Sequence, residues 1–209
     1  MKYKLVIFDF DGTLADSFPW ALTIVDQISD KRGIRRIDRS QIDNMRGTNV
    51  KTLLKMYSIP FWKLPLLLKD VRRLMTEDAG QIMLFAGIDQ LLVRLAAQGT
   101  RMAVVTSNSY QNVQRVLGQE TAALIDYYEC GVGLFGKRNK FGKILKKSGI
   151  VPGEIICIGD ETRDIDAARS ANLACGAVAW GYARPDILSA HSPDMMFASV
   201  DELAQTLLG

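Results

Sequence analysis

Two clusters of acidic residues carry the clearest chemical signal in this sequence. The first, Asp9-Phe10-Asp11-Gly12-Thr13, closes the apolar run Leu5-Val6-Ile7-Phe8. Side chains alternate along a strand, so Asp9 and Asp11 are expected on one face and Phe10 on the other. Such carboxylates repel, and burying them without a counter-charge costs on the order of several kcal/mol. Gly12 permits a tight turn, and Thr13 offers a hydroxyl and a backbone donor. The second cluster, Gly159-Asp160-Glu161-Thr162-Arg163-Asp164, follows the run Ile155-Ile156-Cys157-Ile158. Acids also favour helix starts, and Asp160 and Asp164 flank one. Four carboxylates at two strand ends nevertheless point to a hard cation with oxygen ligands, Mg²⁺, served by Asp9, Asp11, Asp160 and Asp164. Thr106-Ser107-Asn108 places small polar groups before a helix N-terminus, where phosphate oxygens are readily held. Lys137 leads into a helix.

The elements that must position these residues follow from periodicity. Residues 3 to 10 read as a buried strand. Phe18, Ala21, Leu22, Val25 and Ile28 follow helical spacing, with Asp16 or Ser17 as N-cap and Gly33 as the stop. Residues 40 to 79 continue helically, punctuated at Gly47, Pro60 and Pro65. Beyond Gly87 the pattern alternates. Helices are expected at 88–98, 109–118, 139–148, 163–171 and 200–208, and strands at 101–106, 127–130, 154–158, 174–180 and 195–198. Alternating strands and helices imply an α/β fold with a doubly wound, Rossmann-like parallel sheet. The expected division is a core of residues 1–14 and 82–209, with a helical insertion at 15–81. The stretch 15–80 holds 12 Lys/Arg against 8 Asp/Glu, and the remainder 14 against 15. A basic insertion over an acidic core suits an anionic substrate between them.

Composition narrows the function further. Of 209 residues, 48% are hydrophobic and 23% charged, which can support a packed core. No apolar run approaches the roughly 18 residues that span a bilayer. The apolar stretch at Leu5–Phe8 is too short for a secretory signal, so a cytoplasmic location is expected. A net charge of +3 is too small to argue for nucleic acid. His191 is the single histidine, which excludes a zinc site with several histidine ligands, and no GxSxG elbow accompanies it. Cys130, Cys157 and Cys175 form no CxxC pair and read as reduced thiols. Cys157 to Arg163 has C-x5-R spacing, but Asp160 and Glu161 would repel phosphate inside that loop. Gly131 to Arg138 resembles a Walker loop one residue short, with Arg138 where Mg²⁺ needs a hydroxyl. Arg46, beside Gly47, is positioned to reach a substrate anion. The run Lys31, Arg32, Arg35, Arg36 and Arg39 reads as a solvated surface. Trp180, Gly181 and Tyr182 are placed to line an entrance or to pack in the core.

Taken in order, the four stations resemble the haloacid dehalogenase-like hydrolase superfamily, phosphoglycolate-phosphatase-like branch. The DxDGT signature is Asp9 to Thr13, the strand-end hydroxyl is Thr106, the lysine is Lys137, and GDxxxD is Gly159 to Asp164. In relatives proline often follows the lysine. Here Arg138 follows it, so Lys140 and Lys143 are rivals, and Lys137 is preferred for its 23-residue interval to Asp160. Ser107 stands where relatives often have asparagine. The resemblance implies a Mg²⁺-dependent phosphatase acting on a small phosphorylated metabolite, with a helical cap. Asp9 would be the nucleophile, forming an aspartyl-phosphate, and Asp11 the acid and base. The metal would bridge Asp9, the phosphate, the backbone carbonyl of Asp11 and Asp160, with Asp164 in support. Thr106, Ser107, Asn108, Gly12 and Thr13 would contact phosphate or substrate, and Lys137 would neutralise charge. The alternatives are a sugar phosphomutase of the same superfamily and a catalytically silent domain that binds a phosphoryl ligand. Neither a nucleic acid nor a membrane is an expected partner, and a monomer or homodimer is expected.

Overall fold

Apolar runs of three to five residues become the strands of one six-stranded sheet in the computed structural model, which describes residues 2–48, 50–131 and 137–209. The strands are β1 (Leu5–Phe8), β2 (Arg101–Val105), β3 (Tyr127–Glu129), β4 (Ile155–Gly159), β5 (Ala174–Val178) and β6 (Met195–Phe197). Their spatial order is β3-β2-β1-β4-β5-β6, and every pairing is parallel. The order reverses direction at β1, so the carboxyl ends of β1 and β4 border the crevice where open α/β sheets bind ligands.

Both faces of this sheet are covered, which explains why its strands lack a polar side. Val6 and Phe8 point to one face. There they meet Ile88, Leu91, Leu92 and Leu95 of α5 (Ile88–Ala97), Val113 of α6 (Tyr110–Ala122), and Leu203 and Leu207 of α10 (Val200–Leu208). Leu5 and Ile7 point to the other. They pack with Phe141 and Ile144 of α7 (Lys137–Ser148), Ile165 and Ala168 of α8 (Thr162–Ser170), and Leu188 of α9 (Pro185–Ala190). Alternate residues of one four-residue strand thus anchor two separate layers.

Three local differences from expectation have physical causes. β1 stops at Phe8 because residues 10 to 15 close a compact turn on the Phe10 carbonyl, which accepts from Thr13, Leu14 and Ala15. The helix expected to end at 118 breaks there, with φ 74 and ψ 162 at Gly118, and then resumes to Ala122. Helix α9 has no apolar periodicity to announce it; Pro185 at its start supplies the fixed φ that begins a helix. Among the described residues no helix is long and apolar enough to cross a membrane.

Between β1 and α5 the chain forms α1 (Phe18–Arg32), α2 (Ile42–Met45), α3 (Val50–Met56) and α4 (Leu64–Glu77). Trp20, Ile24 and Ile28 of α1 and Leu74 and Met75 of α4 join the apolar cluster on the Phe8 face of the sheet. Gly33 ends α1 in the left-handed region, with φ 61. The basic run beyond it is not simply solvated. Lys31 Nζ and Arg32 Nε reach the buried Asp70 of α4 at 2.8 and 2.5 Å. Arg36 pairs with Asp30, and Arg39 with Asp26.

The Asp70 clamp sets an acid limit on the helical segment. Its hydrogen bond from Arg32, against the opposing effect of burial and with help from Lys31, lowers the Asp70 carboxyl to about 2. The folded value lies below the unfolded one, so its stabilisation is complete above about pH 4 and is lost as pH falls toward 2. Asp70→Asn is expected to lower unfolding stability by ~2 kcal/mol at pH 7. Urea titrations at pH 7 and at pH 2.5 should show that difference shrinking in acid. An unchanged difference would contradict the clamp.

Candidate active site

The parallel register decides which carboxylates meet. Phe8 lies opposite Ile158, and the Asp9 amide donates to the Ile158 carbonyl at 2.8 Å. Asp9 therefore sits beside Gly159 and Asp160. Asp160 is held on both oxygens: Thr13 Oγ1 donates to Oδ1 at 2.8 Å, and the Tyr182 amide donates to Oδ2 at 2.7 Å. Asp164, in the first turn of α8, accepts from the Glu161 amide at 3.1 Å, forming a capping box. Lys137, at the start of α7, lies 2.6 Å from Asp9 Oδ2 and 2.5 Å from Asp164 Oδ1. Of the three candidate lysines it alone reaches the cluster, since Lys140 pairs with Glu129 at 2.8 Å and Lys143 is exposed.

The cluster carries more negative charge than its lysine balances. Burial raises the Asp9 carboxyl to about 7, while Lys137 pulls it down and Asp164 pushes it up. Burial pushes Asp160 well above the carboxylate range, and the charges of Glu161, Asp9 and Asp164 add to the effect. Burial also opposes ionisation of Asp164 and of Lys137. Their mutual attraction, together with Arg163 on Asp164 and Asp9 on Lys137, outweighs it and holds Asp164 below and Lys137 above its ordinary value. Oxygens of Asp9, Asp160 and Asp164 lie within 4.8 Å of one another. Asp9 Oδ1 accepts from the Phe10 amide at 2.8 Å, whereas Asp9 Oδ2 is buried against the Lys137 ammonium at 2.6 Å. A buried all-oxygen set with excess negative charge fits a hard divalent cation such as Mg²⁺.

Several expected site residues have other partners. Asp11 lies in the turn beyond the end of β1, not on the strand. Its carboxylate faces Asn108 Nδ2 at 3.3 and 3.4 Å, and it lies outside the three-carboxylate group. Burial raises its pKa, with hydrogen bonds from Ser17 and Asn108 opposing. The Thr13 hydroxyl is spent on Asp160, and the Gly12 and Thr13 amides close the turn on Ala15 and Phe10, so neither amide faces a substrate. Thr106 Oγ1 accepts from the Asn108 amide at 3.0 Å, which leaves the hydroxyl proton to donate. Asn108 also accepts from Asn112 at 3.1 Å and so braces Asp11. Arg46 pairs with Asp43 at 3.8 Å. It donates to the Tyr182 and Gly181 carbonyls at 3.0 and 2.8 Å and stacks on Phe18. Cys157 is buried in β4, and desolvation drives its thiol pKa well up, which removes the C-x5-R reading. Residues 132–136 of the Walker-like pattern lie outside the described residues. Trp180 packs on Phe85 and donates to the Thr13 carbonyl at 3.2 Å. His191 is exposed.

A cavity of about 180 Å³ opens beside the cluster, lined by Asp11, Arg72, Ser107, Glu161, Arg163 and Tyr182 among others. Arg72 is a lining residue to which spacing alone assigns no role, and Tyr182 is one that spacing left between an entrance and the core. Arg72 lies on a basic helix face indistinguishable from a solvated one. Tyr182 acts through its backbone amide, and its hydroxyl meets Ser17 Oγ at 3.0 Å. That bond replaces the capping role expected of Ser17.

The family model for haloacid dehalogenase-like hydrolases matches residues 6–178. This chain belongs to the haloacid dehalogenase-like hydrolases. Among relatives, it is 30% identical to a phosphoglycolate phosphatase of Synechococcus elongatus, over 98% of this chain and 97% of that protein. It is 28% identical to a phosphoglycolate phosphatase of Aliivibrio fischeri, over 92% and 91%. The crystal structure of a predicted phosphatase from Clostridium acetobutylicum superposes with TM-score 0.84 at 25% identity, covering 100% and 99% of the two chains. CbbY from Rhodobacter sphaeroides, solved with phosphate, shares the fold with TM-score 0.73 at 21% identity, covering 96% of each.

In this hydrolase Gly12 is doubly required. Its φ is +78, and an added Cβ would collide with Asp160 Oδ2 and the Tyr182 ring. Gly149 has φ +68 and open space around it. Gly12→Ala is expected to destabilise by ~3 kcal/mol or more, against ~1 kcal/mol for Gly149→Ala. Equal losses in thermal or urea unfolding would show that crowding against Asp160 is unimportant.

Proposed function

We propose that the chain is a Mg²⁺-dependent phosphomonoesterase for a small phosphorylated metabolite, acting through an aspartyl-phosphate on Asp9. The observation that carries this reading is the state of Asp9. One carboxylate oxygen is fixed by a backbone amide, and the other is buried against the Lys137 ammonium at 2.6 Å. That second oxygen is the nucleophile. The names of the relatives make phosphoglycolate the first substrate to try.

In the first step Asp9 Oδ2 forms a bond to phosphorus as the bond to the leaving oxygen breaks. Asp11, whose ionisation burial makes harder, gives its proton to that oxygen. In the second step Asp11, now ionised, takes a proton from water as the water oxygen attacks phosphorus. The Asp9 bond breaks and phosphate leaves. Lys137 and the Thr106 hydroxyl offset charge on the phosphoryl oxygens. Asp164 holds Lys137 in place, and Thr13 and the Tyr182 amide hold Asp160. Mg²⁺, held by Asp9 and Asp160, supplies the positive charge that lets an anionic carboxylate meet an anionic ester. The helices between β1 and α5 form a cap over the site, with residues 15–81 as the inserted unit.

Phosphate release from para-nitrophenyl phosphate, with Mg²⁺ or with chelator, tests the reading. Release is expected only with metal, and Asp9→Asn should reduce it by about a thousandfold or more. Release that survives Asp9→Asn would remove Asp9 as nucleophile. A separate check needs no turnover. Mg²⁺ should raise the melting temperature of the wild-type protein and leave that of Asp160→Ala unmoved, by mass action on the folded state.

A further inference from the structure

We infer that Arg46 is a positioning residue for the metal site. It fixes the one peptide group whose amide holds Asp160, so that seating of the helical segment between β1 and α5 and binding of a divalent cation favour each other. This rests on the metal reading of the carboxylate cluster above and not on the identity of the substrate.

The link is a single peptide unit. Arg46 Nη2 donates to the Gly181 carbonyl at 2.8 Å. The amide of that same peptide group, Tyr182 N–H, donates to Asp160 Oδ2 at 2.7 Å. The carbonyl and the N–H of a trans peptide point in opposite directions across one rigid plane. Arg46 and Asp160 therefore hold the two edges of one plate. Arg46 Nε adds a bond to the next carbonyl, that of Tyr182, at 3.0 Å, which suits a planar fork of donors. The guanidinium also lies over the Phe18 ring, 5.4 Å from its centroid, and that ring packs edge-on against Tyr182. Asp43 is exposed and 3.8 Å away, beyond hydrogen-bond reach, so the two carbonyls are the stronger partners.

Little else fixes that plate. An added Cβ at Gly181 would fall 2.3 Å from the Asp160 Cβ and 2.4 Å from the Gly12 carbonyl oxygen, so only glycine lets the loop lie directly on Asp160. The same lack of a side chain makes the peptide easy to rotate. Without Arg46 the plane is free to turn and to carry the Tyr182 N–H off Asp160 Oδ2. The Asp160 side chain would then keep only its bond from Thr13. Partners that orient a ligating carboxylate typically change metal affinity by about 10- to 100-fold. The neighbouring Gly47 rests on α9, where an added Cβ would meet Ile187 Cδ1 at 2.9 Å. Arg46 thus reaches the loop only from a seated segment. Coupling between two equilibria is reciprocal, so a cation on Asp160 must in turn favour the seated segment.

Isothermal titration of Mg²⁺ into the metal-free full chain reads this without turnover. Arg46→Met should weaken Mg²⁺ binding by about tenfold, and Arg46→Lys, which keeps the charge but not the fork, by about threefold. Charge alone predicts the opposite sign, since removing a positive group near a cation site tightens that site. Arg115→Met is the control. Arg115 donates to the Thr76 carbonyl at 2.9 Å and so also ties α6 to α4, but it has no bond to Asp160 or its loop among the described residues. Its loss should leave Mg²⁺ affinity within about twofold. Saturating Mg²⁺ should also slow hydrogen exchange at residues 42–47 in the wild type and not in Arg46→Met. Equal or tighter binding by Arg46→Met, an equal loss in Arg115→Met, or exchange indifferent to Mg²⁺ overturns the inference and leaves the metal site standing. A wild type that binds no Mg²⁺ overturns both. Should Arg46→Met fail to fold, Arg46→Lys against Arg115→Met makes the same comparison.

Discussion

Burying three carboxylates around one lysine is the constraint on which this structure turns. Asp9, Asp160 and Asp164 sit with Lys137 where water is nearly absent, and each acid raises the cost of ionising the others. Such a cluster is unfavourable by itself. It persists because the surrounding frame holds every member: a β1–β4 backbone bond for Asp9, a hydroxyl and an amide for Asp160, and a capping box for Asp164. The stability spent there comes from the two apolar layers on either side of the sheet. The return is a buried acidic site that could hold a metal ion.

The crevice between β1 and β4 exists because the strand order reverses at β1. The reversal brings two loops together that are 147 residues apart in sequence, measured by the Thr13–Asp160 bond. Close approach of those loops leaves no room for a side chain at Gly12. The loop after β5 closes the third side, and Arg46 straps it by bonding to two of its carbonyls. Charge chemistry and backbone geometry therefore depend on the same few contacts.

Much of this was legible in the sequence. Continuous apolar strands, alternating with helices, give the parallel sheet, and acids at strand ends mark its working edge. Asp9, Asp160, Asp164 and Lys137 do converge. What stayed hidden depends on partners remote in sequence. The alternation rule carries the strand on through residue 10, but it ends at Phe8, ahead of a turn closing on one carbonyl. Thr13, Asn108 and Arg46 have the right chemistry to bind an anion, yet each is engaged by a carboxylate or backbone group. Lys31 and Arg32 read as surface charge because nothing local shows that Asp70, 38 residues beyond Arg32, is buried against them. Motif spacing reveals which residues can do chemistry, and the fold decides which are free to do it.

The central claim is that Asp9 becomes covalently phosphorylated. Rapid acid quench during turnover, followed by borohydride reduction and peptide mass spectrometry, tests it most directly. Reduction converts an acyl phosphate of aspartate to homoserine. The account predicts homoserine at position 9 and at no other aspartate. Homoserine at another position, or turnover at full rate with position 9 never modified, would contradict it.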